Sequence, residues 1–240
     1  MSGAVYCGAP PLPDTLIARF NLDPVLIAAL VAVAALHLRA NPSMARRVLI
    51  GWGVAAAALI SPLCALSVSL FAARIAQHMI LLLAAAPLVA SALPCWRTIA
   101  TPRSLWSANA AFLALLWFWH MPNPYTATFA SPAVYWAMHL SLSASGVWLW
   151  VALLRQHTPQ ALAAGTLASV QMGLLGAVIS LASWPMYAPH YLTTEVWGLT
   201  PIQDQQLGGT LMWVPGCLLF LGIAVRSLAK MWRSMDEAAA

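Results

Sequence analysis

Seven apolar stretches, most of them near the roughly 20 residues a helix needs to cross a bilayer, follow one another with only short polar breaks. Their approximate cores are residues 24 to 40, 48 to 71, 75 to 93, 105 to 121, 133 to 154, 161 to 184 and 206 to 228, the first and fourth being the shortest. Such a chain cannot hide its apolar surface in one water-soluble core. It is 62% hydrophobic and 7% charged, whereas soluble domains carry about a quarter charged residues. The expected fold is therefore all-α: a polytopic integral membrane bundle of about seven transmembrane helices, forming a single domain over 1–240.

The basic residues set the expected orientation, because cytoplasmic loops retain Lys and Arg. Arg39, Arg46 and Arg47 follow the first stretch, Arg97 and Arg103 the third, Arg155 the fifth, and Arg226, Lys230 and Arg233 the seventh. The other side holds Arg19 and Arg74 together with Asp14, Asp23, Glu195 and Asp204. This alternation places the N-terminus, with an extracytoplasmic segment over 1–23, outside, and the C-terminus in the cytoplasm. It also requires an odd number of spans. The implied location is a bacterial plasma (inner) membrane. The net charge of +5 is then topological: the basic residues are scattered singly and form no patch for nucleic acid.

The N-terminus shows no cleavable signal peptide, and Tyr6 before Cys7 is a poor lipoprotein site. Most loops are short. The exception, WPMYAPHYLTTEVWGLTPIQDQ, supplies Trp184, Tyr187, Tyr191 and Trp197, which suit a membrane interface, and Pro185, Pro189 and Pro201, which interrupt helix. It reads as an extracytoplasmic lid over 185–205. No internal repeat suggests a two-halved transporter, and no nucleophile elbow, phosphate-binding loop or HExxH helix suggests an enzyme.

Polar groups inside a span are costly, which makes each a functional candidate. Arg74, Gln77 and His78 share one helical face at the outer end of the third stretch. His120 ends the fourth, and His139 enters the fifth at a depth like that of His78. A lone histidine there is an ordinary packing residue, but three converging in one leaflet suggest a metal or haem role. Met79, Met121, Met138, Met186 and Met212 supply soft sulfur nearby, and imidazole with thioether suits copper, especially Cu(I), better than magnesium or calcium. The expected metal ligands are His78, His120, His139 and Met212. Gln77, Asp204, Gln205, Gln206 and His190 are the expected supporting or docking groups.

Gly208, Met212 and Gly216 repeat every four residues and predict a close seam with a neighbouring helix. Cys217 reads as packing, and His37 and His157 as solvated residues of the cytoplasmic face. Cys64, beside Pro62, reads as a small buried residue at a kink, with a fourth-ligand role or a disulfide to Cys7 as less favoured alternatives.

At AQHMILLLAAAPLVASALP (76–94), WFWHMPNPY (117–125), the histidine of YWAMHL and, most specifically, LTPIQDQQLGGTLMWVPG (199–216), the sequence resembles the CtaG family of multi-spanning membrane proteins associated with cytochrome c oxidase assembly. The single-span copper chaperone of the same name is a different protein. The resemblance covers roughly residues 20 to 230 and implies a non-enzymatic assembly factor that matures a haem–copper oxidase by delivering or inserting copper. Its implied partners are membrane lipid, haem–copper oxidase subunits and other copper chaperones. The residues implicated by motif match are His78, His120, His139, Asp204, Gln205 and Met212. In one departure, many members carry a further histidine a turn before the one matched by His78, where this chain has Arg74. A guanidinium cannot be a ligand. The competing expectations are a haem-binding membrane protein, with paired histidines as axial ligands, and a small copper permease.

Overall fold

The computed structural model describes residues 5–93, 101–155 and 159–239, and every regular element among them is helical. In chain order these are α1 (Pro24–Ala40), α2 (Ala45–Ile60), α3 (Leu63–Ser69), α4 (Phe71–Met79), a π-helical segment (Ile80–Ala85), α5 (Ala86–Ala92), α6 (Pro102–His120), α7 (Pro122–Ala130), α8 (Pro132–Arg155), α9 (Pro159–Leu181) and α10 (Pro201–Ala239). Five helical stretches are long and apolar enough to cross a membrane: Pro42–Ile60, Phe71–Ala92, Pro132–Arg155, Pro159–Leu181 and Pro201–Arg233. The apolar α1 is shorter, at 17 residues, and α6 has 19. Arg97, used in the charge reading, and His157, read as a solvated residue of the cytoplasmic face, lie outside the described residues.

Proline sets most of the helix starts. Pro24, Pro102, Pro122, Pro132, Pro159 and Pro201 each open a helix, where the missing N–H costs nothing and the fixed φ is already helical. Asp23 caps α1 by accepting from the Val25 amide at 2.9 Å, and Thr101 caps α6 by accepting from Ser104 at 3.1 Å.

Three departures from the sequence reading have physical causes. The stretch 48 to 71 is two helices, because Pro62 breaks it after Ile60 and Leu70 is extended before α4 begins. The stretch 75 to 93 carries a π-helical segment just after His78. A π register would pair the Leu82 carbonyl with the amide of residue 87, but Pro87 has none; the Trp150 indole donates to that carbonyl instead, at 2.7 Å. Finally, α10 starts at Pro201, so Asp204 and Gln205, which fall within the expected lid over 185–205, lie on a helix.

Cys7 and Cys64 form a disulfide with Cα atoms 5.5 Å apart, contrary to the favoured reading of Cys64 as an unpaired packing residue. At a sequence separation of 57, no local spacing could signal the pair. The N-terminal segment makes it by folding back over the bundle. Asn21 donates its backbone amide to the Ile60 carbonyl and its side chain to Leu59, and Tyr6 donates to Asp23. That hydrogen bond holds the half-buried Asp23 carboxyl below its ordinary range, while burial and the same bond push the Tyr6 hydroxyl up.

The core is built from α4 to α10, with α10 laid along α9 and against α4. Glycine permits this approach. A Cβ at Gly176 would fall 2.6 Å from that of Trp213, and one at Gly209 would sit 2.7 Å from the Gly176 carbonyl. Gly208 lets the Phe71 ring cross the face of α10, and Gly216 accommodates Met172, as the four-residue repeat predicts. The Gly209→Val substitution should therefore separate α9 from α10 and destabilise the protein by about 1–3 kcal/mol. A thermal scan in detergent checks this, with exposed Gly53→Val as the neutral control.

Candidate functional site

The first turn of α4 starts inside the bundle and needs partners for its orphan amides. Asp204 supplies them: its buried carboxylate accepts from the amides of Phe71 at 2.7 Å and Ala72 at 3.0 Å. Gln77, also buried, donates from Nε2 to the Ala58 carbonyl at 2.8 Å and ties α4 to α2. These two contacts fix the helix that carries Arg74 and His78.

His78, His120 and His139 come together as three buried rings. His78 stands between the other two, with ring centroids 5.7 Å from His120 and 5.1 Å from His139, in edge-to-face contact at 85° and 70°. Nδ1 of His120 lies 2.6 Å from the Leu116 carbonyl, and Nδ1 of His139 lies 3.1 Å from that of Tyr135. A carbonyl can only accept, so both Nδ1 atoms carry the proton and both Nε2 atoms keep a free lone pair. Neither Nε2 has a partner, and neither nitrogen of His78 has one. Among the described residues, no group of three or more His, Cys, Asp or Glu side chains is arranged to hold a metal ion as the rings now stand.

Aromatic and sulfur groups close the outer side of this cluster. The Tyr135 ring lies 4.2 Å from His139, Tyr6 stacks on Tyr135 at 4.7 Å, and the Cys7–Cys64 sulfurs lie 3.5 and 3.9 Å from the Tyr135 hydroxyl. With Cys64 in the disulfide, its thiol is not a free fourth ligand.

The lid contributes a second layer. His190 is buried, with Nε2 2.7 Å from the Tyr125 hydroxyl, and Tyr187 stacks on Phe71 at 4.0 Å while donating to the His120 carbonyl at 2.8 Å. Thr193 holds the lid to the Ser69 carbonyl at 2.6 Å. Gln205 fastens its start, accepting from the Met186 amide at 2.6 Å and donating to the Ile179 and Trp184 carbonyls.

The remaining sequence candidates have other surroundings. Gln206 is exposed at the start of α10. Met212 is buried in the main core, and no hydrogen bond or ring contact joins it to the histidines among the described residues. His37, read as solvated, is buried and accepts from the Trp52 indole at 3.1 Å. Sequence reasoning did not single out Tyr135, whose position four residues before His139 was the available signal. It also missed α7, which carries Tyr125 and Thr128 to the site.

Arg74, counted with the outer loop by charge, is fully buried. Its Nε donates to the Ser67 carbonyl at 3.3 Å and its Nη1 to Thr128 Oγ1 at 3.4 Å. The guanidinium lies over Phe129 at 4.6 Å, Tyr135 at 5.3 Å and Tyr125 at 5.8 Å.

Burial, reinforced by the Arg74 charge, pushes the His190 pKa down to about 3. A histidine whose folded pKa is depressed destabilises the fold once the unfolded form starts to take up a proton. Stability contributed by neutral His190 is thus intact above about pH 6.5 and falls progressively toward pH 3. Acidification from pH 7 to 4.5 should lower the amide protection factors of residues 186–197, that is, exchange rates corrected for the slower intrinsic exchange at acid pH, and His190→Phe should flatten that pH dependence.

A family model described as cytochrome c oxidase caa3 assembly factor matches residues 27–234. No curated protein and no solved structure matches the chain.

Proposed function

Because the chain belongs to the cytochrome c oxidase caa3 assembly factor family, we propose that it matures a haem–copper oxidase by holding copper transiently at His78, His120 and His139. In this reading it is a non-enzymatic carrier in the bacterial inner membrane. The observation that carries the proposal is the set of four ring nitrogens without partners in one buried cluster. Leaving a buried polar atom unsatisfied costs about 1–3 kcal/mol, so a cluster of them calls for a ligand. The His120 and His139 Nδ1 contacts support it, since donating the other ring proton to a carbonyl is how metal-binding histidines are oriented. Imidazole donors suit copper better than oxygen-seeking ions. The edge-to-face packing of His78 on both neighbours leaves no slot for a planar macrocycle between them, which favours an ion over haem.

The site faces the extracytoplasmic side in this proposal, with the N-terminus outside. The Cys7–Cys64 disulfide favours that orientation, because disulfides persist where the environment is oxidising. The lid, with Tyr191, Leu192 and Val196 exposed, is the proposed docking surface for oxidase subunits or another copper chaperone.

Purified protein should retain copper near one equivalent. His78→Ala with His139→Ala should weaken retention by on the order of a hundredfold or more, beyond the change expected for outer groups, while leaving membrane insertion intact. Unchanged retention would remove these histidines from the site. Deleting the gene should lower the copper content of the terminal oxidase measured by metal analysis; a normally metallated oxidase defeats the assembly role in copper supply.

A further inference from the structure

Arg74 is fully buried within the apolar stretch Phe71–Ala92, and a charge there is expensive unless something answers it. No carboxylate does so among the described residues: Asp204, the buried acid near α4, is bonded to the Phe71 and Ala72 amides. Nη2 of Arg74 has no hydrogen-bond partner. Two neutral oxygens and three aromatic faces share the remaining contact. Packing alone does not account for this choice, since a neutral side chain of similar length would fill an aromatic pocket without the desolvation penalty.

The charge stands beside the histidine cluster. Arg74 precedes His78 by four residues, on the same helical face. Across the bundle, its guanidinium and the His139 ring flank Tyr135, at 5.3 and 4.2 Å from that ring. The three imidazoles bring no negative charge of their own. An ion entering the cluster therefore meets a fixed positive charge with no anionic ligand to offset it.

We propose that Arg74 is the charge selector of the site: its guanidinium admits a monovalent soft ion, Cu(I), and disfavours divalent Cu(II) and Zn(II). The inference rests on the copper reading above and adds the oxidation state of the cargo. Arg74 touches no ion and acts only through its field. Coulomb repulsion scales with the ion's charge. At a separation of roughly 7–10 Å and an effective dielectric constant of about 20, the second unit of charge costs on the order of tenfold to fiftyfold in affinity.

The test uses the full-length protein in lipid nanodiscs with Cu(I), Cu(II) and Zn(II) as probes. Cu(I) is titrated anaerobically against a chromophoric chelator, and the divalent ions by calorimetry. Arg74→Gln and the more apolar Arg74→Met should each lower the ratio of Cu(I) to Cu(II) affinity by about tenfold or more, whereas charge-retaining Arg74→Lys should keep it. A purely structural Arg74 would change yield and thermal stability but leave that ratio alone, and an unchanged ratio in a folded neutral variant overturns the proposal. The wild type provides an arm independent of variant folding. Its bound copper should stay silent in electron paramagnetic resonance under air, and a stoichiometric Cu(II) signal overturns the charge selector while leaving copper binding standing. Wild-type protein that takes up neither copper ion defeats the copper reading itself, and this inference with it.

Discussion

A helix that begins within a membrane bundle must have its first amides satisfied by protein, because lipid offers no acceptor. In this chain one carboxylate meets that need. Asp204, on α10, accepts from the amides of Phe71 and Ala72, more than 130 residues away in sequence. The contact is possible only because α10 approaches closely at Gly208, where a side chain would collide with the Phe71 ring. Arg74, Gln77 and His78 follow within two turns. Their positions thus depend on a carboxylate and a glycine that belong to a different helix.

The surroundings of the three histidines divide into a rigid floor and a fastened roof. Below His78 the helix widens into its π-helical segment, and Trp150 from α8 satisfies the Leu82 carbonyl. Above, two separate pieces of chain converge. The N-terminal segment is held by the disulfide and by Tyr6 on Tyr135, while the lid is held by Gln205, Thr193 and the His190–Tyr125 hydrogen bond. One fastening is covalent and the other consists of hydrogen bonds, so the lid is the side that yields first as His190 becomes protonated. Access to the histidines would then come through the lid and not past Cys7.

The all-helical, apolar character was legible in the sequence because it follows from local properties. Apolar length marks the helices, so the predicted 24 to 40 and 133 to 154 fall within a residue of α1 and α8, while five of the seven expected spans are long and apolar enough to cross a membrane. The gathering of His78, His120 and His139 was legible from depth alone. What local pattern could not carry was the set of long-range contacts. Asp204 and Gln205 were expected as supporting or docking groups, and no local pattern could show that Asp204 caps α4 or that Gln205 fastens the lid. The Cys7–Cys64 pairing, 57 positions apart, was the less favoured reading of Cys64. Arg74 was counted with the outer-side charges although it shares a helical face with Gln77 and His78, and its full burial was not foreseen, because hydropathy reports how apolar a stretch is and not which of its faces turns inward.

That last misreading bears on the chemistry of the cluster. Were Arg74 at the surface, water and headgroups would screen it, and the histidines would form a site with no preference for the charge of its ion. Inside the bundle, among Tyr125, Phe129 and Tyr135, its field reaches the neighbouring rings through material of low polarisability. Neutral imidazoles beside a buried cation form a poor binding site for any doubly charged metal, however well their nitrogens are placed. In the proposed copper reading, any preference for the cuprous ion would then come from the guanidinium, since imidazole donors alone suit copper and zinc alike.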